Sequence, residues 1–121
     1  MALVQLFRKG NSVQLFEKIA KTLAYTNKEW SDFLHITERT IQRYKKGHKK
    51  FDTLQSERII NITKLHRKGN VVFGLAAHLA VWMNSNIIAL GNIKTIELLD
   101  NSFGIDLLFD KLGRLEHGVL A

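Results

Sequence analysis

The sequence predicts an all-α protein built in two parts, and three observations predict it. Its 121 residues include no proline, where average usage of about 5% would supply several, so helices meet no built-in breaker. Apolar residues recur at steps of three and four through most of the chain, and no apolar/polar alternation runs long enough to specify a strand. The charge is divided unevenly: residues 1–70 hold 15 Lys/Arg and 6 Asp/Glu, residues 71–121 hold 3 and 5, within a net of +7. A hydrophobic content of 45% is enough to form a core and argues against disorder throughout.

The elements follow in order. A first helix is expected from about Asn11 to Tyr25, where Val13, Phe16, Ile19, Ala20 and Leu23 share one face. Thr26-Asn27-Lys28-Glu29 reads as a capping box, in which side chain and backbone satisfy each other's orphan N–H groups. The second helix that it opens carries Trp30, Phe33 and Leu34 inward. A third helix opens at Thr37 and stops near Gly47. The basic run Lys45 to Lys50 leads to Phe51 and a fourth helix over Thr53–Lys68, which Gly69-Asn70 either breaks or only interrupts. Val72–Met83 is almost wholly apolar and is expected to be a buried helix. Ser85–Lys94 reads as a loop around Gly91. A short helix starts at Thr95, capped by its own hydroxyl, and a last one runs from Ser102 towards Glu116. In it Ile105, Leu108, Leu112, Leu115 and Val119 form one apolar stripe.

Several function classes are excluded. Without cysteine there is no disulfide, thiolate site or thiol nucleophile. His35, His48, His66, His78 and His117 include no helical i, i+4 pair around an acid, so no metal site is expected. There is no phosphate-binding Gly-rich loop ending in Lys-Ser/Thr and no Gly-x-Ser-x-Gly elbow; the chain is expected to be no enzyme and to need no cofactor. The most apolar window, Val71–Met83, contains His78 and falls well short of the ~20 residues that span a bilayer. The start MALVQLFRKG lacks the charged stretch of a signal peptide, and a cytoplasmic protein without membrane contact is expected.

The basic half has the layout of a helix-turn-helix. The second and third helices are separated only by His35-Ile36. Trp30 and Leu34 pack on the third helix, Ser31 is the small residue at the crossing, and Ile41 and Tyr44 anchor the third helix from behind. At about 100° per residue, Arg39, Gln42, Arg43 and Lys46 share the outward stripe, which supplies groups able to make bidentate contacts with guanine and adenine edges. Thr37 and Thr40 flank it, while Lys45, Lys49 and Lys50 suit phosphate contact. Glu38 either favours the helix dipole or accepts from cytosine. The turn carries His35 where helix-turn-helix turns usually carry Gly, at some cost in strain. The plain alternative is an amphipathic helix pair with a solvated basic face.

Residues 71–121 show no chemistry of their own, only apolar helices and a partner-like stripe. Their motifs, however, resemble a known family. Ser56-Glu57-Arg58-Ile59-Ile60, Val72-Phe73-Gly74, Ala80-Val81-Trp82-Met83-Asn84, Ala89-Leu90-Gly91, Thr95-Ile96-Glu97-Leu98-Leu99-Asp100 and Gly113-Arg114-Leu115-Glu116-His117-Gly118-Val119 follow in the order seen in Xre/MbcA/ParS-type antitoxins. The chain departs from that pattern at Asn86-Ile87 and Thr95-Ile96, where the family favours Asn-Pro and Thr-Pro, and at Asn92, where it favours Gly. The resemblance implies a bacterial type II antitoxin paired with a RES-domain, NAD-consuming toxin. It implies a DNA-binding, operon-repressing region at 1–52 that takes operator double-stranded DNA. It also implies a homodimerising, toxin-covering domain at 53–121. By the matching motif, Gly113, Arg114, Glu116, His117 and Gly118 lie nearest the toxin site. On the residues alone, Trp82 reads as core, Glu97 as a first-turn acid, and Arg114, Glu116 and His117 as ordinary surface. A stand-alone helix-turn-helix regulator whose second half only dimerises, and an antitoxin whose basic half no longer reads DNA, are the competing readings.

Overall fold

The first local signal to be realised is the capping box. In the computed structural model, which describes residues 12–47 and 51–118, Thr26 Oγ1 accepts from the Glu29 N–H at 3.0 Å and Glu29 Oε1 from the Thr26 N–H at 2.9 Å. These bonds open α2 (Asn27–Leu34), which follows α1 (Ser12–Leu23). The start expected at Asn11, the side chain of Val13, Lys49, Lys50 and the Val119 end of the last stripe lie outside the described residues. Thr37 caps α3 (Glu38–Lys45) through its hydroxyl, which accepts from the Thr40 N–H at 3.1 Å. Helix α4 (Thr53–Phe73) has its own box: the Gln55 N–H donates to Asp52 Oδ1 at 2.7 Å, and the Asp52 N–H to Gln55 Oε1 at 3.0 Å.

The chain divides into two compact units, Met1–Thr63 and Lys64–Ala121, with the division inside α4; the sequence reading divides it at 52/53. The first unit closes around an aromatic cluster. Phe16 meets Trp30 and Phe51 edge-on, with centroids 5.1 and 5.0 Å apart. Phe33 stands 5.6 Å from Trp30, and Tyr44 lies 4.2 Å from Phe51. Edge-to-face pairing adds to what area burial alone supplies. Ile19, Ala20, Leu34, Ile41, Ile59, Ile60 and Ile62 are buried with them. The Trp30 indole Nε1 is buried without a hydrogen-bond partner among the described residues.

Several expectations for the second unit are corrected. Gly69 does not stop α4, which runs on to Phe73 and ends at Gly74 (φ 76). A Cβ on Gly69 would lie 2.6 Å from Leu79 Cδ1, so glycine is kept there for close approach of α5 (Ala76–Met83), not for a break. The apolar Val72–Met83 stretch is not one buried helix: its first two residues belong to α4, and α5 buries only Leu79 and Met83, leaving Ala76, Ala77, Ala80 and Val81 exposed. Ser85–Lys94 is not irregular. Strands β1 (Asn86–Ile87) and β2 (Ile93–Lys94) pair antiparallel, Asn86 with Lys94 and Ile87 with Ile93, around a short 3₁₀ turn at Ile88–Leu90. Finally, the Thr95 hydroxyl does not cap the following 3₁₀ helix (Thr95–Asp100). It is buried and faces Ser85 O at 3.3 Å, while Glu97 accepts from the Lys94 N–H at 2.9 Å.

Helix α6 (Ser102–Glu116) opens on Asn101, whose side chain accepts from the Gly104 N–H at 2.6 Å. Ile105, Leu108 and Leu112 are buried as the stripe predicts, with Leu115 half-buried. Trp82 is not core but half-buried, its ring 5.7 Å from that of Phe73. The all-α class stands, with a minimal hairpin inserted between helices.

Candidate nucleic-acid interface and partner surface

The turn between α2 and α3 is built from backbone before any site residue enters. His35 takes a left-handed conformation (φ 57, ψ 42), and the N–H groups of His35 and Ile36 both return to Ser31 O. Ser31 is buried and donates its hydroxyl to Lys28 O at 2.6 Å, so a small residue occupies the helix crossing, as the sequence requires. Ile41 and Tyr44 are buried behind α3. Arg39, Gln42, Arg43 and Lys46 are all exposed, and none has a side-chain hydrogen bond or ion pair among the described residues. Two guanidinium groups, an amide and an ammonium thus stand in one open row.

The flanking residues are differently placed. Thr37 and Thr40 hydroxyls lie 2.9 Å apart, engaged with each other and with the helix start. Lys45 is half-buried, with Nζ donating to Asn27 Oδ1 at 2.6 Å, which ties the end of α3 to the start of α2. Glu38 sits in the first turn of α3, where an acid favours the dipole. Two contacts absent from the sequence reading come from α4. Tyr44 Oη donates to Gln55 Oε1 at 3.1 Å, and Arg58 Nη1 donates to Phe33 O at 2.8 Å. The Asp52-x-x-Gln55 spacing was readable as a cap; the Arg58 contact spans 25 positions and has no local signal.

In the second unit the closing motif is structured to Gly118. Arg114 pairs with Asp110 at 3.2 Å on the same face of α6, and Lys68 of α4 pairs with Glu116 at 2.9 Å, which holds the Glu116 carboxyl below its ordinary range. His117 caps α6 by donating its backbone N–H to Gly113 O at 3.2 Å. Open space lies over Gly113, and Gly118 turns the chain at φ 73. Lys68, Phe109, Asp110, Gly113, Arg114 and His117 line a shallow depression of about 590 Å³. The structure therefore brings Gly113, Arg114 and His117 onto one surface. It also adds Lys68, which only tertiary contact could reveal. Large apolar side chains stay outside this unit: Val81 is 71% exposed, Ile88 82% and Phe103 81%. His66 of α4 is largely buried, and burial pushes its imidazole down to about 4.

Among the described residues no helix is long and apolar enough to cross a membrane, and no three His, Cys, Asp or Glu are placed to hold a metal.

Two family models tile the chain. The antitoxin Xre-like helix-turn-helix domain matches residues 2–64, and the antitoxin Xre/MbcA/ParS C-terminal toxin-binding domain matches residues 68–118. Antitoxin Xre of Yersinia enterocolitica (serotype O:8 / biotype 1B) is 28% identical over 120 residues, spanning 98% of this chain and 81% of that protein. In fold the chain resembles one in the crystal structure of the M. tuberculosis MbcT–MbcA toxin–antitoxin complex. The TM-score there is 0.66 at 19% identity, over 93% of this chain and 96% of that one. The helix-turn-helix framework, the ordered C-terminal motifs and these two matches agree, and the chain belongs to the Xre/MbcA/ParS family of type II antitoxins.

Proposed function

We propose that this antitoxin neutralises a RES-domain, NAD-consuming toxin by covering its active site, and that as a homodimer it binds operator DNA to repress its own operon. One observation carries the reading: a single chain presents a cationic row on α3 and, in its other unit, both exposed apolar side chains and a closing motif of mixed charge. Cations attract phosphates through counterion release, and exposed apolar surface marks protein partners. The sequence division assigns DNA binding to residues 1–52 and dimerisation with toxin binding to 53–121.

Within the cationic row, Arg39, Gln42 and Arg43 face base edges, and Lys46 faces the backbone. Thr37 and Thr40 hold the N-terminus of α3 at the phosphates. Lys45 acts through its bond to Asn27, with Lys49 following along the backbone. In the second unit, Gly113, Arg114, Glu116, His117 and Gly118 meet the toxin. Arg114 and Glu116 reach it by exchanging Asp110 and Lys68 for toxin groups. Exposed ion pairs contribute little to stability, so the exchange costs little.

The test uses the native locus. The neighbouring reading frame is expressed alone and with this chain, and the tagged chain is purified from cells carrying both. The expected result is growth arrest by the neighbour alone, rescue by this chain, and copurification. Deletion of Gly113–Ala121 is expected to abolish rescue while binding to the upstream DNA persists. A harmless neighbour that does not copurify would leave a helix-turn-helix regulator without a toxin. A deletion variant that still rescues growth would remove the closing motif from the mechanism.

A further inference from the structure

We propose that Gln55 and Arg58, three residues apart on α4, are positioning residues for the nucleic-acid interface: they fix α3 and the turn before it from behind, without touching DNA. This rests on the DNA-binding reading above and adds to it the parts that hold the reading surface in place.

The anchoring starts at the end of α2. A helix leaves its last carbonyls without intrahelical donors, and that end carries partial negative charge. The left-handed turn at His35 satisfies Ser31 O twice, through the N–H groups of His35 and Ile36. Two residues on, Phe33 O receives the Arg58 guanidinium at 2.8 Å in a part-buried setting. A charged donor on a neutral carbonyl makes a stronger bond than a neutral pair, and a cation at a helix C-terminus adds dipole energy. Arg58 thus anchors the two-residue hinge that sets the angle between α2 and α3.

The second contact fixes α3 itself. Gln55 Oε1 accepts from the Asp52 N–H at 3.0 Å, closing the cap of α4, and from Tyr44 Oη at 3.1 Å. The same oxygen therefore starts one helix, α4, and holds the one before it, α3. Tyr44 adjoins Arg43 in sequence and lies on the buried side of α3, opposite the exposed row. Any rotation of α3 that moved Arg39, Gln42, Arg43 and Lys46 off their register would break the Tyr44–Gln55 bond. Bidentate base contacts are demanding in geometry, whereas phosphate attraction is not, so loosening the clamp should cost sequence preference and spare bulk affinity.

The experiment compares the full chain with Arg58→Met, which keeps the stem and removes the donors, and with Tyr44→Phe, which keeps the ring packing and removes only the hydroxyl. Arg58→Lys serves as the conservative rescue. Two probes are used: a duplex of the DNA immediately upstream of this chain's reading frame, and a shuffled duplex of equal length and composition. Arg58→Met and Tyr44→Phe are expected to weaken upstream binding roughly tenfold each, about one hydrogen bond's worth. Shuffled-duplex affinity and its salt slope are expected to stay unchanged while the thermal midpoint falls by a few degrees, as loss of one part-buried hydrogen bond requires, and Arg58→Lys should restore most of the loss. If both variants keep the parent's preference for the upstream duplex, the positioning role is overturned. If both probes weaken to the same extent, the contacts are merely structural and the proposal again fails. If the parent itself shows no preference, it is the DNA-binding reading that fails, and the positioning role falls with it.

Discussion

The two units handle apolar surface in opposite ways. In Met1–Thr63 the large rings turn inward and stack edge-on, and among the described residues Leu54 is the large hydrophobic residue left well exposed. In Lys64–Ala121 comparable side chains at Val71, Leu75, Val81, Ile88 and Phe103 stand in solvent. Both units have a real core, Leu99, Ile105, Leu108 and Leu112 being fully buried in the second. The difference is thus one of surface. A unit that meets a polyanion needs a polar, cationic exterior over a self-sufficient interior. A unit that meets protein keeps part of its apolar area for the partner.

The largest test of that contrast is Trp30→Ala. Trp30 is fully buried and touches Phe16, Tyr25 and Phe33, so its truncation should cost about 3–5 kcal/mol, read as a lowered urea midpoint. A cost below ~1 kcal/mol would mean that the first unit is not closed on itself.

A comparable effect is expected from acid. His66 ionises in the unfolded chain near its ordinary value of 6.5 but in the fold only at about 4. The unfolded state therefore binds the extra proton between these values, and stability should fall as pH drops through that window, by up to about 3 kcal/mol, and level off below it. His66→Leu should flatten the fall when thermal midpoints are followed across that range; an unchanged slope would assign the acid sensitivity elsewhere.

Arg43→Ala sharpens the comparison from the DNA side. A base-reading Arg43 should cost about 1–3 kcal/mol on the upstream duplex, measured by anisotropy titration, with folding untouched because the side chain is exposed and has no hydrogen bond or ion pair among the described residues. Equal affinities would move the row from base reading to solvation.

The smallest effect on folding is predicted for Val81→Ser and Phe103→Ser. Both side chains already stand in water, so stability should change by no more than about 0.5 kcal/mol, while copurification with the neighbouring protein or a second copy weakens. Loss of folding with either substitution would show that these residues belong to a core and erase the contrast.

The helix-turn-helix was legible because its signals are local. The Thr26/Glu29 box, the Thr37 cap and the left-handed His35 each depend on residues within four positions, and Ile41 and Tyr44, three apart, mark the apolar side of α3. The exposed row follows from the same periodicity. The closing helix was readable for that reason too, from Ser102 to Glu116. The buried helix expected over Val72–Met83 failed because hydropathy records how apolar a stretch is and not whether a neighbour covers it. The hairpin was missed because two-residue strands carry no periodic signal and exist through pairing across Ile88–Leu90.

The sequence by itself determined the helical class, the caps that start α2 and α3, the turn between them and which face of α3 is polar, since nearest-neighbour sterics and hydrogen bonding decide these. Only the tertiary structure decided that Gly69 sits under Leu79 instead of ending a helix, and that Lys45 is held by Asn27. It also decided that Glu116 is held by Lys68, and that Arg58 secures the turn at Phe33. Each of those contacts joins residues ten or more positions apart, and the free energy that selects them arises only once the chain has closed on itself.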